Sequence, residues 1–163
     1  MLLQRDRIRE YAEYYQFHVF NPAHPGNVGD PGFWSPEAFA NRFGYVDGTI
    51  GIGTESYDFV EVVVEIHDVV PDLSLGEWDH VIECDLYANE GQIGIKSCLG
   101  LPEEERVFNV IPGNYRVRCC YANLDQGSDG ITEREGGGDW YMVQCWPQEA
   151  SPPAVLRLRP RAT

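Results

Sequence analysis

No apolar run in this 163-residue sequence approaches the roughly 20 residues that a membrane-spanning helix needs. The N-terminal stretch MLLQRDRIREYAEYY carries charge throughout and lacks the apolar centre of a secretory signal, so a cytoplasmic location is expected. The G-x-S-x-G pattern of a nucleophile elbow is missing, as are C-x-x-C and the Cys/His spacings of zinc sites. Gly48, Gly51 and Gly53 form G-x-x-G-x-G, but neither a Lys nor a helix follows. Glycines so placed on a strand mark a bulge or a close backbone approach, not a phosphate cradle. These gaps argue against a catalytic, metal or cofactor site. Basic residues are also missing where they would matter most: no Lys or Arg occurs between Arg42 and Lys96.

What is present is acid. The formal net charge is −14, and six of the twelve basic residues sit near the ends, at Arg5, Arg7, Arg9, Arg157, Arg159 and Arg161. Such a chain repels nucleic acid and anionic membranes and attracts basic partners. The cysteines are Cys84, Cys98, Cys119, Cys120 and Cys145. An odd count without a signal peptide reads as free thiols. Cys119 and Cys120 are strand neighbours, so they point to opposite faces, and one of them is expected at the surface.

The pattern along the chain is that of a mostly β, single-domain β-sandwich with one short helix near residues 36–43. Residues 1–10 read as a charged leader. Ser35-Pro36-Glu37 is a helix start with its N-cap and first-turn proline, and Gly44 is the stop. Short alternating or β-branched segments separated by Gly and Pro turns fill the remainder. The Gly-rich polar stretch 123–138 reads as a mobile loop.

Alternation assigns faces. Between Trp78 and Tyr87, His80, Ile82, Cys84 and Leu86 share one face, and Asp79, Glu83 and Asp85 share the other. Between Tyr57 and His67, Glu61 and Glu65 lie opposite Val60, Val62, Val64 and Ile66. If the two strands are neighbours, Glu61, Glu65, Glu83 and Asp85 form an exposed carboxylate patch, with Asp79 at its end. Unrelieved side-by-side carboxylates repel, which points to use as a contact surface for a basic partner. Joint metal binding by His80 with Glu83 and Asp85 is disfavoured, because His80 and Glu83 face opposite ways. Trp140, Tyr141 and Trp146 offer a different reading, an aromatic site of a small-ligand or carbohydrate-binding module.

Three segments, Tyr15-Gln16-Phe17-His18-Val19-Phe20, Gly44-Tyr45-Val46-Asp47-Gly48-Thr49-Ile50 and Ile111-Pro112-Gly113-Asn114-Tyr115-Arg116-Val117-Arg118-Cys119, occur in an order and spacing that resemble the ComJ-like family. The resemblance covers roughly residues 14–121. It implies a β-sandwich-type fold and a protein that binds and silences a nuclease, as the family's namesake does to the DNA-entry nuclease of bacterial competence. It implies neither catalysis nor a cofactor. Composition independently points to an acidic binder, but the word nuclease comes from the resemblance alone.

Overall fold

The computed structural model describes residues 1–128 and 138–161. It consists of eleven strands and one α-helix: β1 (Leu2–Tyr11), β2 (Gln16–Phe20), α1 (Pro36–Asn41), β3 (Phe43–Val46), β4 (Thr49–Gly53), β5 (Phe59–His67), β6 (His80–Ala88), β7 (Gln92–Ser97), β8 (Arg106–Asn109), β9 (Gly113–Ala122), β10 (Trp140–Pro147) and β11 (Ala154–Arg157). Six strands form one sheet in the order β1-β5-β10-β9-β6-β11, and five form a second in the order β3-β4-β2-β7-β8. Inward-facing residues of both sheets meet in one core. Val62, Val64, Val117, Tyr141 and Val143 from the larger sheet join Phe17, Val19, Ile50, Ile52 and Ile95 from the smaller. The chain is therefore a single-domain β-sandwich. No helix among the described residues is long and apolar enough to cross a membrane.

The helix starts where the sequence places it. The Ser35 hydroxyl accepts from the Ala38 backbone N–H and Pro36 takes the first turn. The helix ends at Asn41, before the expected Phe43, because Arg42 turns into the left-handed region at φ 64°; Gly44, the expected stop, lies in β3. Two further sequence expectations are corrected. The charged leader is a strand: β1 pairs with β5 along its length, with Arg5, Arg7 and Arg9 opposite Glu65, Val63 and Glu61. The pair Tyr57–His67 and Trp78–Tyr87 are not neighbours. They belong to the same sheet, but β10 and β9 lie between them. The β5–β10 pair is parallel, the only parallel pair among the described residues, so sequence order gives no hint of it.

The five cysteines are free, as expected. Cys120 does face outward from the sheet, yet both Cys119 and Cys120 are buried, since loops cover that face. Of the segment expected to be a mobile loop, residues 129–137 lie outside the described residues. Its beginning is pinned: Leu124 donates its backbone N–H to Asp79, and Ser128 bonds Ser56 and Asp58.

Candidate functional site

The outer face of the six-stranded sheet carries four of the five carboxylates singled out in the sequence. Register explains what became of the expected patch. Arg5, Glu65, Gln144, Arg118 and Glu83 stand directly beside one another on β1, β5, β10, β9 and β6. They form a hydrogen-bonded row across five strands. Arg5 Nη1 reaches Glu65 Oε2 at 3.1 Å, and Gln144 Nε2 donates to Glu65 Oε1 at 2.9 Å. Arg118 Nη1 donates to Gln144 Oε1 at 3.1 Å and its Nε to Glu83 Oε2 at 3.0 Å. Arg116 continues the row, bonding Glu83 at 3.1 Å and Asp85 at 2.9 Å. Repulsion between carboxylates is thus relieved by two arginines from β9, and the four acids do not form an exposed patch.

Loops seal this row from water. Arg118 donates to the Pro71 carbonyl, and Arg116 donates to the carbonyls of Ser151 and Pro152. The Arg116 and Arg118 side chains are about 4–5% exposed and those of Glu65 and Glu83 are 8% and 14%. Burial pulls the Glu65 pKa upward, but hydrogen bonds from Gln144 and His67, with the Arg5 charge, outweigh it and leave the group below its ordinary value. For Arg116, burial opposes the charge, and the bonds to Asp85 and Glu83 more than restore it.

The remaining two candidates, Glu61 and Asp79, stay more exposed. Glu61 pairs with Arg7 at 2.7 Å, and Asp79 lies 3.8 Å from Arg159. Over the buried row runs the loop from Asp68 to Asp79, held by Pro71 on Arg118 and by Leu75 on Arg157. It presents Asp72 and Glu77, which have no cationic partner among the described residues, together with exposed Val69, Val70 and Leu75. Carboxylates thus flank exposed apolar side chains on a loop held at two points. Sequence alternation missed this loop because it has no period to read; only its run of acids was visible.

The aromatic residues of the alternative reading do not converge. Tyr141 points into the core and donates to Asp139. Trp146 is buried beneath the guanidinium of Arg118, 4.8 Å from its ring centre, and Trp140 stacks edge-on against Trp78 at 5.2 Å. A different aromatic cleft, of 430 Å³, opens beside the smaller sheet, lined by Tyr14, Tyr15, Trp34 and Phe39 with Gln16, Glu55 and Arg161. Tyr14 and Tyr15 both sit in the left-handed region, at φ 56° and 59°. For bulky residues this backbone is strained by roughly 1–3 kcal/mol each, and such strain concentrates at binding sites. No property of the sequence signalled it.

His80 takes neither a metal nor a proton role in this arrangement. Its Nδ1 accepts from the Arg159 backbone N–H and its Nε2 donates to the Asn41 carbonyl, tying the C-terminal strap to the end of α1. Burial lowers its pKa to about 4, which keeps the ring neutral. No group of His, Cys, Asp and Glu suited to a metal ion occurs among the described residues.

No family model and no curated protein matches this sequence. Two solved structures do share its fold. One is described as crocagin biosynthetic gene J, with 12% identity, a TM-score of 0.55, and coverage of 89% of this chain and 96% of its own. The other is ComJ from Bacillus subtilis, an inhibitor of the DNA degrading activity of NucA, with 16% identity and a TM-score of 0.65. The match covers 91% of this chain and 98% of that one, so the likeness seen in residues 14–121 extends well beyond them, and the chain has the fold of ComJ.

Proposed function

We propose that this chain is an inhibitor that binds and silences a basic protein, a nuclease, in the cytoplasm, without catalysis or a cofactor of its own. The observation that carries the reading is the shared fold with ComJ, whose described role is inhibition of a nuclease. Charge supports it independently. A nuclease presents a basic channel for its phosphate substrate, and a protein of net charge −14 is drawn to it while being repelled by nucleic acid and anionic membranes.

The contact surface we propose is the loop from Asp68 to Asp79, with Glu61 as a further contact. Asp72 and Glu77 steer the approach, and Val69 and Val70, at 58% and 55% exposure, supply apolar area to bury. Glu65, Glu83 and Asp85 support this surface from below and do not meet the partner.

The test is DNA cleavage by the nuclease encoded nearest this gene, with and without the chain. Wild type should inhibit, less so as salt rises. Asp72→Lys with Glu77→Lys should weaken inhibition by slowing association, and adding Val69→Ala and Val70→Ala should abolish it. Failure of wild type to inhibit rejects the inhibitor role. Full inhibition by the folded quadruple variant rejects the surface.

A further inference from the structure

The aromatic cleft beside the smaller sheet has a chemistry that the inhibitor role does not use. Its floor is Gly53. A Cβ there would come within 3.2 Å of Arg161 Nη2 and 3.4 Å of Trp34 Cη2, so the missing side chain leaves the space between them open. Its walls are rings: Trp34, Tyr14, Tyr15 and Phe39. Trp34 is held by its Nε1–H, which donates to Gln16 Oε1 at 3.0 Å.

One cation in the cleft, Arg161, has no ion-pair partner among the described residues. Glu55 also lines it, but its carboxylate is engaged by Arg42 at 2.8 Å. The other Arg42 donors are bound to the carbonyls of Arg159 and Pro160, which brings the strap and Arg161 alongside. Arg161 donates its Nε–H to the Phe39 carbonyl at 2.6 Å and lies over the Phe39 ring, 4.1 Å from its centre. Among the described residues no carboxylate lies within ion-pair distance of it, and its two Nη groups have no acceptor. Burial, followed by the neighbouring charge of Arg42, pulls its pKa down, and the more distant charge of Glu55 offsets this only in part.

We propose that this cleft binds a small aromatic carboxylate, its ring against Trp34 and the two tyrosines, its carboxylate on the Nη groups of Arg161. A guanidinium presents paired donors that match a carboxylate, and apolar walls around few polar groups are the usual form of a small-ligand site. The 430 Å³ volume suits a one- or two-ring molecule. A cationic ligand is disfavoured, because Arg161 and Arg42 together outweigh the single charge of Glu55. This site stands apart from the loop surface, so either can fail without the other.

Calorimetry with indole-3-acetate, its neutral analogue indole-3-acetamide, and acetate, alongside the indole N–H signals of the four tryptophans, tests the proposal. Indole-3-acetate should bind at one site with a Kd on the order of 1 mM or tighter and shift the Trp34 signal. The acetamide and acetate should each bind at least about tenfold more weakly. Arg161→Gln should lose about tenfold in affinity, with Arg161→Lys between the two. Tyr14→Ser provides a second variant at an exposed side chain and should also weaken binding. Equal affinity for the acetamide, unchanged binding in folded Arg161→Gln, or no saturable binding overturns the proposal.

Discussion

On the outer face of the six-stranded sheet, long charged side chains bond to one another and loops close over them. On the outer face of the five-stranded sheet, side chains are withdrawn instead. Gly51 lies under Phe33 and Trp34, where a Cβ would come within 2.7 Å and 2.9 Å of the rings, and Gly94 lies under Phe20, at 2.5 Å. His18 is buried there between Phe33 and Gln16, its Nε2 on Gln16 Oε1 at 2.8 Å and its Nδ1 without a partner among the described residues. Both faces alternate away from the core, and neither is bare to solvent. One is closed by charge satisfied in place, the other by aromatic rings laid on backbone. Strand alternation tells which way a residue points and is silent on what covers it.

The largest expected effect sharpens this contrast on the charged side. Arg118→Ala leaves Glu83 and Gln144 facing an empty space under the loop, and removing one partner of a buried pair costs about 3–5 kcal/mol. Urea unfolding measures it. A cost under about 1 kcal/mol would mean that the row behaves as a screened surface, and the contrast with the other face would fall. For the same reason, lysines at Glu65, Glu83 and Asp85 should destabilise the fold, where an exposed patch would tolerate them.

Acid should open the aromatic side first. Burial, with the charge of Lys96 adding to it, lowers the His18 pKa to about 4, against an ordinary 6.5. Protons therefore bind the unfolded chain before the folded one, so the contribution is fully present above pH 6.5 and lost as pH falls from 6.5 to 4. The loss is at most about 3 kcal/mol. His80 acts in the same direction. Glu65, held below 4.5, keeps its contribution until more acid values. The indole N–H of Trp34 should shift or broaden at a higher pH than that of Trp146. Simultaneous loss would show that the two faces are one cooperative unit with no difference in acid response.

Smaller again is Gly51→Ala, whose methyl group must push Phe33 and Trp34 outward at a cost of roughly 1–3 kcal/mol, read as a lower Tm. The smallest effect on stability belongs to the double Asp72→Lys, Glu77→Lys variant. Its side chains lie above the sealed row, and a change within about 0.5 kcal/mol is expected in thermal unfolding. A large loss there would make the loop part of the seal, not a free contact surface.

Local features were legible in the sequence wherever one residue decides them. The Ser35 cap, the Pro36 start, the alternating strand from Val81 to Leu86 and the close approach at Gly51 are all found in place. Features decided by distant residues were not. Arg116 and Arg118 alternate with Tyr115, Val117 and Cys119 on an otherwise apolar strand, and two cations so placed are a sign of buried pairing. Which acids they would meet depended on β10 entering between β5 and β9. Arg5, Arg7 and Arg9 likewise alternate with Asp6, Ile8 and Glu10. That period of two distinguishes a strand from a leader, though high charge obscures it. The cleft was hidden for another reason: Tyr14, Trp34, Gly53 and Arg161 are separated by stretches of chain whose contact only the finished fold defines.

The parallel seat of β10 also shapes how the protein comes into being. Without β10, β1 with β5 and β6 with β9 would be two separate strand pairs, each with a long unpaired edge where β10 lies. Val62 and Val64 on one edge and Val117 and Cys119 on the other are apolar and briefly open to any passing strand. Gln144, which bridges Glu65 to Arg118, comes in with β10. Without residues 140–147 no strand joins the halves of the larger sheet, and no side chain bridges Glu65 to Arg118. Sheet closure thus waits on β10, and chains that lack residues 140–147 should be the form of this protein most exposed to aggregation.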